Sequence, residues 1–131
     1  MTHMKQIREC LDEIVENFPG GEPFTGTDIN DYHVHAAAIA CQADIILTSD
    51  KTENITQDPD AEPYEIYTPD DFFTLVAKSN RASAFRVTQG QFNYWRSKPK
   101  SEPIDKALKK ANCSKFAEIV RKHLQTIALT Q

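Results

Sequence analysis

Residues 28–50 read DINDYHVHAAAIACQADIILTSD. Carboxylates stand at both ends, with an alanine-rich stretch and an isoleucine-rich one between them. The run AAAIA at 36–40 combines high helix propensity with small side chains, so it reads as a helix able to lie close against a sheet. Asp28 can cap its start as an Asx residue. Asp31 falls in the first turn, where negative charge suits the helix dipole. The run DIILT at 44–48 is short, apolar and β-rich, as expected of a strand covered on both faces. A helix of about 13 residues spans roughly 20 Å, and a five-residue strand about 16 Å. The tight connection near Gln42-Ala43-Asp44 turns the helix antiparallel to that strand. Asp31 and Asp50 then become neighbours at the carboxyl edge of the strand, where open α/β sheets place their sites.

Paired carboxylates in such a crevice suit Mg²⁺ or Mn²⁺, hard ions that want oxygen ligands and keep several waters. A water on such an ion is a usable nucleophile near neutral pH, and the ion also stabilises charge developing on phosphate. The plainer alternative is that Asp31 caps a helix and Asp50 makes a turn. His33 and His35, two apart, point about 200° away from each other on a helix and cannot form the i, i+3 or i, i+4 pair that a helical metal site needs. His35 is expected to be solvated and His33 to hydrogen-bond locally. Cys41 falls within the alanine-rich helix and reads as packed rather than reactive.

Upstream, residues 4–18 read as an amphipathic helix with Ile7, Leu11, Ile14, Val15 and Phe18 on one face, stopped by PGGEP at 19–23. Downstream, 49–63 is polar with two prolines and reads as a loop. YEIY at 64–67 reads as a second strand. Thr68-Pro69-Asp70-Asp71 is a helix start, with Thr at the N-cap and Pro at the first helical position. KSNRASAF at 78–85 reads as a boundary, followed by the aromatic segment QFNYWRSKPK and two helices starting near Ser101 and Ser114.

The chain has 131 residues and a net charge of −4, which hides a division. Residues 1–77 carry 16 acids against Lys5, Arg8 and Lys51, whereas residues 78–131 carry 12 lysines and arginines against Glu102, Asp105 and Glu118. The first part can gather divalent cations; the second can attract phosphate backbones. Neutralisation of one part by the other is the simpler explanation. No apolar run approaches the roughly 18 residues of a membrane helix, and the N-terminus lacks the basic start and apolar block of a secretory signal. Cys10, Cys41 and Cys113 are scattered, which argues against a disulfide framework or a zinc site. A reduced, cytoplasmic setting without membrane attachment is the expectation.

DINDYHVHAAAIACQADIILTSDKTEN followed by YEIYTPDDFFTLV resembles the second half of a PIN domain, most closely the branch related to VapC-type toxins. The resemblance covers about residues 28–76, and the segment from FNYW to the end resembles the helical extension carried by some of these proteins. It implies an α/β, partial PIN-like three-layer fold with a short parallel sheet, with residues 1–79 as the C-terminal half of the domain and 80–131 as a basic helical extension. The implied activity is metal-dependent RNA phosphodiester hydrolysis in a toxin–antitoxin pair. By position Asp31 and Asp50 match catalytic, metal-binding acids of the family, with Asp28 and Glu53 as weaker accessory ligands for Mg²⁺ or Mn²⁺. RNA would lie along Arg81, Arg86, Arg96, Lys98 and Lys100, with Phe92, Tyr94 or Trp95 available to stack on a base. Large rings at such a junction are ordinarily core.

The family's first three strands and two of its acids have no counterpart here. Glu9, Asp12, Glu13 and Glu16 are acidic, but none ends a strand. Two short strands seldom make a stable sheet unaided, and a central strand would keep a bare edge. The expected remedies are a second chain supplying the N-terminal half, pairing of two copies, or cover by the C-terminal helices. An antitoxin is a further expected partner. A non-catalytic remnant acting as a protein-interaction module is the competing function.

Overall fold

The computed structural model describes residues 8–18 and 20–130. They form a mixed α/β architecture with one two-stranded parallel sheet. In order come a 3₁₀ turn Ile29–Asp31, α1 Tyr32–Ala40, β1 Ile45–Leu47, α2 Thr52–Ile55, a 3₁₀ turn Pro59–Ala61, β2 Glu65–Tyr67, α3 Pro69–Ser79, α4 Arg81–Trp95, α5 Ile104–Lys110 and α6 Ser114–Leu129. Two compact units are present: 1–46 with 50–66, and 47–49 with 67–131. The sequence division at 79/80 falls elsewhere, because α3 packs with α4 and α6 in the second unit.

In the first unit, α1 ends in a Schellman motif. Gln42 adopts left-handed backbone (φ 57), while Ala43 N–H bonds to Ala38 O at 3.0 Å and Gln42 N–H to Ile39 O at 3.2 Å. That motif makes the tight reversal into β1. Glu65 N–H bonds to Asp44 O at 2.9 Å, beginning the parallel pairing of β1 with β2. Ala38, Ile46, Ile55 and Tyr64 form the core, with Val34, Ile39, Ala43 and Ile66 packed around it. β1 is covered on one face only. Ile46 is buried, whereas Ile45 is 37% and Leu47 46% exposed, so the expected two-sided cover is not found.

A hydrogen-bonded network backs this core. His35 is buried, not solvated, and His33 is the exposed member of the pair. The helical period does place them on opposite sides, but the inner side is the one that His35 occupies. The His35 Nε2 donates to Pro23 O at 2.9 Å, since a carbonyl only accepts, and Nδ1 therefore accepts from the Tyr64 hydroxyl at 2.7 Å. Burial, then the Glu62 charge, pushes the Tyr64 hydroxyl up to about 12. Glu62 in turn accepts from Thr56 Oγ1 at 3.0 Å.

Other expectations need correction. The helix drawn over 4–18 is helical only at 8–10 among the described residues, and residues 4–7 lie outside them. Leu11 and Ile14 remain half exposed while Val15 and Phe18 are only partly covered, and burial rather than propensity sustains most helices. The loop at 49–63 contains α2 and a 3₁₀ turn. They are anchored by Ile55 in the core and by the hydrogen-bonded Thr56, each 1% exposed.

In the second unit, α3 begins as read, with Thr68 Oγ1 accepting from Asp71 N–H at 3.1 Å and Pro69 in the first turn. Asn80 breaks the chain into α4 and caps it by accepting from Ser83 N–H at 3.1 Å. α6 buries Ala117, Val120 and Ile127. Its first turn is capped from another helix: Asp70 accepts from Lys115 N–H at 3.1 Å and from Phe116 N–H at 2.8 Å. Lys115 Nζ also meets Asp71 at 2.8 Å.

Two stability outcomes follow, both read by urea denaturation of the full chain. Asp70→Ala removes the borrowed cap and costs about 1–2 kcal/mol, while Asp70→Asn costs less. Tyr64→Phe strands the His35 Nδ1 without a donor and costs about 1–3 kcal/mol. Because the folded hydroxyl titrates above the ordinary value of 10.0, the folded state holds more protons in that window, and stability falls as pH rises from 10 towards 12. Tyr64→Phe flattens that slope.

Candidate functional site

The backbone before α1 is pinned from outside. Thr27 N–H bonds to Glu53 O at 2.9 Å and Asp28 N–H to Asn54 O at 3.3 Å. Gly26 permits this approach, because a Cβ there would collide with the backbone oxygens of Asn54 and Ile55. The two acids then take different roles. Asp28 caps the 3₁₀ turn, accepting from Asn30 N–H at 3.0 Å. Asp31 occupies the N-cap position of α1 yet makes no side-chain capping bond. The plain reading of Asp31 as a helix cap therefore fails, while the same reading of Asp28 holds.

Asp31 is 9% exposed, and its Oδ2 is buried with no hydrogen-bond partner among the described residues. The Asp50 carboxylate stands close enough to act on it. Burial first, then the charges of Asp50 and Asp28, raise the Asp31 carboxyl above its ordinary value of 3.8; nearby His33 works against them. Asp31 and Asp50 are therefore a pair of like-charged carboxyls, which disfavours ionisation of Asp31. Asp50 is exposed and forms the solvent side of the pair.

The structure thus brings Asp31, Asp50 and Asp28 into one electrostatic cluster. It does not bring Glu53 there: Glu53 is exposed, and its backbone oxygen is the part engaged. Among the described residues no group of three or more His, Cys, Asp or Glu side chains is placed to hold a metal ion. Two carboxylates, one with an orphaned buried oxygen, still fit Mg²⁺ or Mn²⁺. Such ions are commonly held by one or two protein carboxylates, with waters and substrate phosphates completing the shell. The set does not fit zinc, which prefers nitrogen and sulfur.

The five cations assigned to RNA all lie in the second unit and are exposed. Arg86 bonds to Ser83 Oγ at 3.0 Å within α4. Arg96 lies over the Phe92 ring at 5.8 Å and Lys98 over the Tyr94 ring at 4.9 Å. Tyr94 and Trp95 meet edge to face at 4.9 Å and remain 55% and 41% exposed, so these two rings are not core. Phe92, half buried, lines a cavity of about 300 Å³ with Trp95, Arg96, Pro103 and Ile104. The helix carrying all of this, α4, was not read from sequence. Gly90 and a weak apolar stripe concealed it, and Thr88 is its one buried residue. The His35–Tyr64 network was also missed, and its signal was the inward phase of His35 on α1.

No protein-family model, curated protein or solved structure matches the chain.

The carboxyl pair has a direct test. In an NMR pH titration the Asp31 carboxyl titrates above 3.8, and Asp50→Asn moves it back down. The folded state retains the Asp31 proton longer than the unfolded chain, so stability falls as pH rises from 3.8 through the raised value. Asp31→Asn removes that loss and raises the melting temperature at pH 7 relative to the parent.

Proposed function

We propose that this chain is a PIN-like, metal-dependent endoribonuclease of toxin–antitoxin type, with Asp31 and Asp50 as its metal-binding and catalytic acids. The observation that carries this reading is the Asp31–Asp50 pair, with Asp31 buried, uncapping and orphaned at Oδ2. A carboxyl held in that state, without a structural bond to justify it, is a functional-site signature.

Mg²⁺ or Mn²⁺, when bound, supplies a lowered water pKa and a counter-charge for phosphate. The chain's own residues supply the rest. Asp31 and Asp50 would hold the ion through their carboxylates. Asp50, on the solvent side, would also take the proton of an attacking water. The Asp28 charge adds to the field that attracts a cation, while its side chain stays committed to Asn30. With only two carboxylates in place, further acids come in this proposal from an N-terminal half carried by a preceding segment, another chain or a second copy.

For RNA the favoured surface is the end of α4 and the segment after it. Tyr94 and Trp95 expose π-faces beside Arg96, Lys98 and Lys100, a combination that binds unpaired bases and backbone together. An antitoxin protein is the proposed physiological partner.

The competing reading, a remnant that binds protein, is favoured by one observation. The outer face of β1, Ile45 and Leu47, is apolar and exposed, as on a strand awaiting a neighbour.

Calorimetric titration with Mn²⁺ separates the two. The nuclease reading predicts saturable binding that releases protons below the raised Asp31 value, and that weakens at least about tenfold in Asp31→Asn and in Asp50→Asn. RNA cleavage in Mn²⁺ is lost in the same variants. A parent chain that binds no Mn²⁺ supports the remnant.

A further inference from the structure

α3, α4 and α6 of the second unit border an open recess of about 290 Å³ lined by buried Ala77, partly buried Ile119 and His123, and the exposed Lys78, Arg81 and Lys122. Three cations from three helices converge there, and no carboxylate lines the space. None of Lys78, Arg81 and Lys122 makes a salt bridge among the described residues. The nearest helices offer little compensation. α4 contains no acid. Asp70 and Asp71 sit at the far end of α3, engaged with Lys115 and Phe116. Glu118, the single acid of α6, is hydrogen-bonded by Arg121 and also feels Lys122.

Lys78 has a structural reason to be where it is, since a cation in the last turn of α3 complements that helix. Lys122 lies near Glu118, whereas Arg81 has no such reason. Arg81 stands in the first turn of α4, at the positive end of its dipole, where a cation is disfavoured. Gathering like charge in a recess costs self-repulsion, which an anionic ligand relieves. Apolar walls at Ala77 and Ile119 strengthen the field inside. His123 is braced edge to face against Phe85 at 5.4 Å, with its Nε2 buried and unpartnered among the described residues.

We propose that this cavity is a binding site for a phosphate monoester, held by Arg81, Lys122 and Lys78. A phosphate monoester carries about −1.5 to −2 charge at neutral pH. Its oxygens match the fork of an arginine and the point charge of a lysine. A volume near the lower limit of small-ligand pockets suits a phosphoryl group rather than a whole cofactor. The ligand is either a small free phosphate or the phosphorylated end of a nucleic-acid strand. The site does not depend on the Asp31–Asp50 pair.

The test is calorimetry on the full chain at low salt, with inorganic phosphate as the probe. The expected result is saturable 1:1 binding, at least tenfold weaker in the Arg81→Gln/Lys122→Gln double variant and unchanged in Lys106→Gln, an exposed lysine of α5. Arg81→Lys gives intermediate weakening, and its melting curve confirms that folding is intact. A second arm compares a 5′-phosphorylated oligoribonucleotide with its 5′-hydroxyl counterpart. A preference for the phosphorylated strand that vanishes in the double variant assigns the site to a strand end; phosphate binding without that preference assigns it to a small free anion. Absence of saturable phosphate binding, or an equal loss in Lys106→Gln, overturns the proposal. Asp31→Asn leaves phosphate binding intact, so failure here is distinct from failure of the metal site.

Discussion

The position of Asp31 is fixed by two backbone hydrogen bonds, from Thr27 to Glu53 and from Asp28 to Asn54. They hold the turn before α1 against the backbone of α2, just after the loop that carries Asp50. Gly26 makes the approach sterically possible. Given that pinning, Asp28 is spent on its own turn, while Asp31 is left buried beside a second carboxyl with no cap to make. Two acids of like charge held together are poorly placed for stability and well placed for a cation. Functional sites often carry this kind of local cost, because the group that destabilises the resting fold is the one that ligand binding satisfies.

The rest of the first unit supports that arrangement through packing rather than charge. The Schellman turn at Gln42 reverses the chain into β1, and the small face of α1 lets Ala38 lie against Ile46 and Ile55. His35 braces the same helix from beneath, tied to Pro23 on one side and Tyr64 on the other. The second unit is built differently. It is helical and cationic, and a carboxylate of α3 caps the first turn of α6. Its lysines and arginines exceed what its own acids can balance, leaving a net positive surface.

Much of the first unit was legible in the sequence because its signals are local. Alanine content and a short isoleucine run each specify an element through backbone physics, as the Thr68-Pro69 helix start does in the second unit. The proximity of Asp31 and Asp50 was legible too, from element lengths and a tight turn. What escaped depended on tertiary partners. The stripe Leu11–Ile14 looked helical, yet it stays half exposed and the helix stops at Cys10. The strand DIILT looked two-sided, yet Ile45 and Leu47 face outward. α2 is held by Ile55 in the core, which no short-range rule anticipates. The cationic cavity draws its residues from three separate helices, one of them hidden by Gly90, so no linear spacing could reveal it.

The central claim is that the carboxyls of residues 31 and 50 jointly hold a hard divalent cation. Crystals of the full chain soaked in Mn²⁺ and measured for anomalous scattering test it most directly. The account predicts a single strong peak with oxygens of both Asp31 and Asp50 at about 2.0–2.3 Å. A peak bound by neither residue, or no peak at saturating Mn²⁺, contradicts it.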